Sequence, residues 1–123
     1  MDKNKDEKFI VTGGTPLKGE VSIGGAKNAV LKLMAAAILA KGETLIHNVP
    51  NLTDVEIMLN VIEQLGTKTH YDKEHKTISI DATDITSITA KYELVSKMRA
   101  SFIILGALVS RCKEAIVALP GGC

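Results

Sequence analysis

Four residues carry the chemistry that this sequence offers: Lys27 and Asn28 behind a Gly-Gly pair, Arg99 in an otherwise apolar stretch, and Cys123 behind Pro120-Gly121-Gly122. Lys27 supplies a full positive charge and Asn28 both a donor and an acceptor. They stand where Gly24-Gly25 turns a strand-like alternation, Val21 and Ile23 against Glu20 and Ser22, into the helical apolar run Ala29 to Ala40. A helix start leaves its first N–H groups unpaired and exposes the positive end of the dipole, so it is a place for an anion. A cation there opposes the dipole. Lys27 is therefore a poor choice for stability alone and a good one beside a bound phosphate or carboxylate. The other reading is a capped turn with a solvated lysine. The glycines are expected where the backbone takes positive φ.

Arg99 sits in Lys97-Met98-Arg99-Ala100-Ser101. Its planar fork grips two oxygens of a phosphate or carboxylate at once, yet next to Lys97 it reads equally as part of a solvated face. Cys123 follows two glycines, which places its thiol on an exposed, movable loop; such a thiol is either incidental or a reactive group. His47, His70 and His75 match no zinc spacing, and Cys112, between Arg111 and Lys113, has no second ligand near it in sequence, so no metal is expected. Gly13-Gly14 and Gly24-Gly25 lack the spacing of a Walker or dinucleotide loop.

The elements that must position these residues come from a chain of 123 residues, enough for one compact domain. Hydrophobic residues make up 46% and charged residues 24%, an ordinary globular balance and not a disordered one. A net charge of +1 with no basic, aromatic-interleaved run argues against nucleic acid or an acidic membrane as partner. With aromatics at 3% the core must come from Ile, Leu, Val, Ala and Met. Met1 to Lys8 is too charged for a signal peptide, and Ala29 to Ala40 is too short to span a bilayer. A cytoplasmic protein with reduced cysteines is expected.

Phe9 to Thr12 reads as a short strand broken by Gly13-Gly14-Thr15-Pro16, and Gly19 to Ile23 as a second strand. The first helix is expected over Lys27–Lys41, apolar nearly all round and hence buried, with Gly42 as its stop. Thr44 to His47 forms the next strand. Thr53-Asp54-Val55-Glu56 fits a capping box, followed at helical spacing by Val55, Met58, Leu59, Ile62 and Leu65 and closed by Gly66. Lys68 to Tyr71 and Thr77 to Asp81 form a hairpin across Asp72 to His75. Asp81 to Ala90 is a connector. A third helix runs from Val95 or Ser96 to about Cys112, with Met98, Phe102, Leu105, Leu108 and Val109 on one face, and Ala115 to Leu119 begins a further strand. A Pro-Gly-Gly turn normally leads onward, and a last strand without partners is a liability, so the sequence is expected to be part of a longer protein.

Three stretches in order, Gly25-Ala26-Lys27-Asn28-Ala29, Lys97-Met98-Arg99-Ala100-Ser101 and Pro120-Gly121-Gly122-Cys123, together resemble the N-terminal part of the UDP-N-acetylglucosamine 1-carboxyvinyltransferases. The likeness runs from Phe9 onward and includes Asn48-Val49-Pro50 and Gln64-Leu65-Gly66. It implies an α/β fold of two similar domains, each of three βαβαββ units arranged as an inside-out α/β barrel, here truncated. It places residues 1–26 with a C-terminal domain and leaves 27–123 as an incomplete α/β domain. It implies Lys27 and Asn28 as contacts of phosphoenolpyruvate, Arg99 as a contact of the UDP-sugar, and Cys123 as the loop proton donor. The same resemblance implies that this cysteine can become attached to phosphoenolpyruvate and is alkylated by fosfomycin.

The activity so implied is enolpyruvyl transfer to UDP-N-acetylglucosamine, the first committed step of peptidoglycan synthesis, with no cofactor. A substrate carrying phosphate and carboxylate needs cations and helix-end N–H groups, and the proton needs an acid on a loop that can close. The remaining carboxylate and arginines of the family lie beyond residue 123, so the chain alone is expected not to turn over. The related enolpyruvylshikimate-phosphate synthases are the runner-up. They typically carry Ser after the lysine and lack the Pro-Gly-Gly-Cys loop, so Asn28 and Cys123 speak against them. A non-catalytic module that binds an anion or nucleotide sugar is the alternative from another class.

Overall fold

A computed structural model describes residues 7–91 and 102–117. Among these residues three helices and five strands follow in the order α1 (Lys27–Ala37), β1 (Glu43–Ile46), α2 (Thr53–Glu63), β2 (Lys68–Asp72), β3 (Thr77–Asp81), β4 (Thr89–Ala90), α3 (Ile104–Cys112) and β5 (Ile116–Val117). The first sheet has the order β1-β3-β2, with β3 antiparallel to both neighbours. Consequently β1 and β2, joined through α2, run parallel with the returning hairpin strand between them. A second pair, β4 and β5, is parallel and joined through α3. The unit therefore repeats a strand-helix-strand pattern.

Period-2 alternation puts Ile78 and Ile80 of β3 on one face, opposite Ile46 and Thr44 of β1 and Tyr71 and Thr69 of β2. Both isoleucines are fully buried. Over this face lie α1, against β1 and β3, and α2, against β2, with the two helices in mutual contact. Val55, Met58, Leu59, Ile62 and Leu65 all enter the core as their spacing requires, and Val30, Leu31, Met34 and Ile38 meet them from α1. The outer face is polar apart from Leu45: Ser79 donates to the Glu43 carboxylate at 2.8 Å across it.

Several expectations are corrected. Phe9 to Thr12 and Gly19 to Ile23 form no strand; Phe9, Val21 and Ile23 are exposed, because alternation makes a strand only where a neighbour accepts its backbone bonds, and among the described residues none does. The βαβαββ order is thus present here from its first helix onward. The helix α1 ends at Ala37 and not Lys41, in a tightened turn with Ile38, Leu39 and Ala40 donating to Ala35, Ala36 and Ala37. Gly42 is not among the positive-φ glycines; its carbonyl instead accepts from Ala82 N at 3.0 Å. Nor is α1 buried all round: Ala29, Leu33 and Ala36 are exposed, the last two over a groove of about 310 Å³ shared with Leu45 and His47.

The capping box does not form. Leu52, extended at φ −132°, takes the cap position, Thr53 is already helical, and Glu56 reaches out to pair with Lys73. Gly66 does close α2, at φ 95°. In α3 the buried residues are Ile104, Ala107 and Leu108, whereas Val109 is exposed, so the inward stripe is rotated from the one expected. The part of that helix before residue 102, including Met98, lies outside the described residues. The connector after Asp81 ends in a strand, β4, which exists because β5 returns beside it.

Candidate functional site

Lys27 is the first residue of α1, and Ala26 before it is extended (φ −89°, ψ 136°) with no side-chain bond to the helix. Ala26 O accepts from Val30 N at 3.0 Å, so the helix begins cleanly, yet its first turn holds no acidic residue. The N–H groups of that turn and the positive dipole end thus remain available. Asn28 follows on the exposed side.

The turn that delivers Lys27 is set by a close approach rather than by positive φ. A Cβ added at Gly25 would collide with the carbonyl oxygen of Asn48 and come within 3.0 Å of Pro50 Cδ, while at Gly24 it would meet nothing. Neither glycine is among those with positive φ, which corrects the expectation for this turn. On the other side Asn48 has φ 56°, a left-handed kink that a short amide side chain tolerates. The Asn48-Val49-Pro50 loop is itself tied down: Val49 N donates to Lys76 O at 2.9 Å, and the Tyr71 hydroxyl reaches Pro50 O at 3.4 Å. Beyond the loop, Asp54 in the first turn of α2 meets Lys27, with Nζ 3.2 Å from Oδ2.

Of the sequence-predicted site residues, the structure places Lys27 and Asn28 together at the start of α1; Arg99 and Cys123 lie outside the described residues. Two further residues were not anticipated. Asp54 was read only as part of a cap. Arg111, in the last turn of α3, donates to the carbonyls of Ile38, Ala40, Ala82 and Thr83 and so locks α3 to the ends of α1 and β3. The available signal was its place one turn beyond Ala107 and Leu108 and two beyond Ile104, a charge on the buried stripe. His75 pairs with Asp72 at 2.7 Å in the hairpin turn, and among the described residues no three His, Cys, Asp or Glu side chains are grouped as metal ligands would be. Among the described residues no helix is long and apolar enough to cross a membrane.

An antiparallel three-stranded sheet covered on one face by two helices, presenting a cation at a Gly-Gly-led helix start, forms an α/β unit like that of a solved enolpyruvyl transferase. The chain belongs to the EPSP synthase (3-phosphoshikimate 1-carboxyvinyltransferase) family, whose pattern matches residues 11–123. It is 50% identical over 117 residues to a UDP-N-acetylglucosamine 1-carboxyvinyltransferase of Dichelobacter nodosus, and equally so to one of Methylacidiphilum infernorum; each match takes in 95% of this chain. A relative of the same name from Chloroherpeton thalassium is 51% identical over 118 residues. The chain spans 27–28% of the length of these relatives. Among solved structures it resembles the enolpyruvyl transferase NikO from Streptomyces tendae, with a TM-score of 0.68 and 30% identity over 80% of this chain and 23% of that one.

Proposed function

We propose that the protein transfers the enolpyruvyl group of phosphoenolpyruvate to the 3-hydroxyl of UDP-N-acetylglucosamine and releases phosphate, the first committed step of peptidoglycan synthesis. The observation that carries this reading is 50% identity, along 95% of the chain, to enzymes named for that transfer. Lys27 and Asn28 hold the phosphoenolpyruvate at the start of α1, a role that the open helix end supports. Arg99 contacts the UDP-sugar. Cys123 gives a proton to C3 as the sugar hydroxyl, giving up its own proton to a base, adds to C2. Loss of a proton from C3 then restores the double bond as the C2–O bond to phosphate breaks and phosphate leaves. No cofactor or metal takes part.

In this reading residues 1–26 pack with a C-terminal domain, which fits the exposure of Phe9, Val21 and Ile23, and residues 27–123 belong to the first domain. The enzyme works in the cytoplasm, serves cell-wall growth and hence cell shape and division, and is a target of fosfomycin through Cys123. The family description itself favours a second acceptor, 3-phosphoshikimate; Asn28 and Cys123 speak against it.

The deciding experiment follows phosphate release from phosphoenolpyruvate by the full-length protein with each acceptor in turn. Release with UDP-N-acetylglucosamine alone is expected. Release with shikimate 3-phosphate alone would replace the proposal by its runner-up, and binding without release would favour a non-catalytic module.

A further inference from the structure

Lys27 and Asp54 begin two different helices, and their side chains meet with Nζ 3.2 Å from Oδ2. The lysine side chain is 52% exposed and the aspartate 32%, so solvent screens the pair and it does little for stability. Asp54 is well placed without Lys27, because a carboxylate in the first turn of α2 complements that helix's dipole. The reverse does not hold. Lys27 opposes the dipole of α1, and its flexible stem has to be held if the ammonium is to stay at that helix end.

We propose that Asp54 is a positioning residue for anion binding: it fixes the Lys27 ammonium beside the first turn of α1 before the ligand arrives. This rests on the reading of Lys27 as a phosphoenolpyruvate contact. An ammonium has three donors, and one bond to Asp54 leaves two for an oxyanion. Ordering the cation in advance lowers what binding must spend on immobilising it. The carboxylate also repels an incoming anion. Charge and positioning therefore predict opposite signs: removing the charge alone tightens binding, whereas losing the position weakens it.

The test is steady-state kinetics of the full-length protein carrying Asp54→Ala, Asp54→Asn, Lys27→Ala, or Asp54→Ala with Lys27→Ala. Asp54→Ala is expected to raise KM for phosphoenolpyruvate about tenfold, with kcat within about twofold and an almost unchanged melting midpoint. Asp54→Asn keeps an oxygen for the ammonium and should raise KM by less, about threefold. The double variant should be no worse than Lys27→Ala, because without the ammonium Asp54 has nothing to position.

A KM that falls or holds in Asp54→Ala, or effects that add in the double variant, overturns the role of Asp54. Should Asp54→Ala fail to fold, Asp54→Asn decides alone: a raised KM supports the role and an unchanged or lowered one ends it. If Lys27→Ala leaves KM unchanged, the reading of Lys27 falls and this role with it. If Lys27→Ala raises KM and neither Asp54 variant does, only the role of Asp54 falls.

Discussion

The Arg111 guanidinium donates to the carbonyl of Ile38 at 2.8 Å, joining the last turn of α3 to the tightened turn that ends α1 across 73 positions of sequence. The same group reaches Ala40 O at 3.1 Å, Thr83 O at 2.9 Å and the carbonyl of Ala82. These are carbonyls that a helix end and a strand end would otherwise leave without donors.

Arg111→Met should lower stability by about 2–4 kcal/mol, since several charge-assisted bonds go and half-buried carbonyls lose their donor. Arg111→Lys should recover only part, because one ammonium cannot span acceptors on two elements as the planar fork does. The midpoint of urea unfolding for the two variants reads this order. Equal midpoints for Lys and Met would mean that the fork geometry is irrelevant.

Gly25→Ala should cost about 1–3 kcal/mol and displace Lys27, because the new methyl must push against the Asn48 carbonyl and the Pro50 ring. Gly24→Ala, where a Cβ meets nothing, should be nearly silent. Thermal midpoints together with phosphoenolpyruvate affinity distinguish the two positions, and similar losses at both would refute the packing account.

Gly66→Ala meets two obstacles: a backbone at φ 95° and the Thr86 side chain, whose backbone N donates to Leu65 O at 2.9 Å and so cannot easily withdraw. The expected loss is about 1–3 kcal/mol. Adding Thr86→Ala should return part of it by removing the hydroxyl, while the backbone strain stays. Full recovery of the unfolding midpoint in the double variant would show that φ does not matter there.

Asp72 gives the hairpin a pH dependence. Its carboxylate accepts from His75 N at 3.1 Å and pairs with the His75 ring, and these bonds, the backbone one foremost, hold its pKa below the ordinary carboxylate value. A lowered folded pKa means that the stabilisation is complete above the unfolded value, about 3.9, and is lost as pH falls through the folded one. Asp72→Asn should flatten this part of the acid-unfolding curve. If Asp72→Asn were as stable as the wild type above pH of about 4, where the carboxylate is charged in both the folded and unfolded states, the turn would contribute nothing.

What could be read from the sequence was whatever depends on local periodicity. The apolar spacing of α2, its closure by Gly66 and the β2–β3 hairpin all stand as expected because each is decided within about a dozen residues. What was illegible depends on distant partners. Val21 and Ile23 alternate like a strand but need a neighbour to become one, and Leu52, not Thr53, caps α2 once Glu56 has Lys73 to reach. The site divides in the same way. Lys27 and Asn28 announced themselves by standing after two glycines, but Gly25 proved necessary for its contact with a loop 23 positions on, and Asp54 matters only because two helix starts converge. Nothing local reveals such convergence.

The place of β3 between β1 and β2 bears on the order in which the sheet assembles. Hairpin closure over four residues is quick, whereas Glu43 must find Ser79 across 36 positions before β1 has any partner. During synthesis β1 and α2 emerge before the strand that will pair β1 exists. Pulse-labelled hydrogen exchange during refolding is expected to protect the β2–β3 amides ahead of those in β1. The sheet is thus completed outward from its middle, and β1, whose loop sets the height of Gly25 and Lys27, is the last pairing to lock.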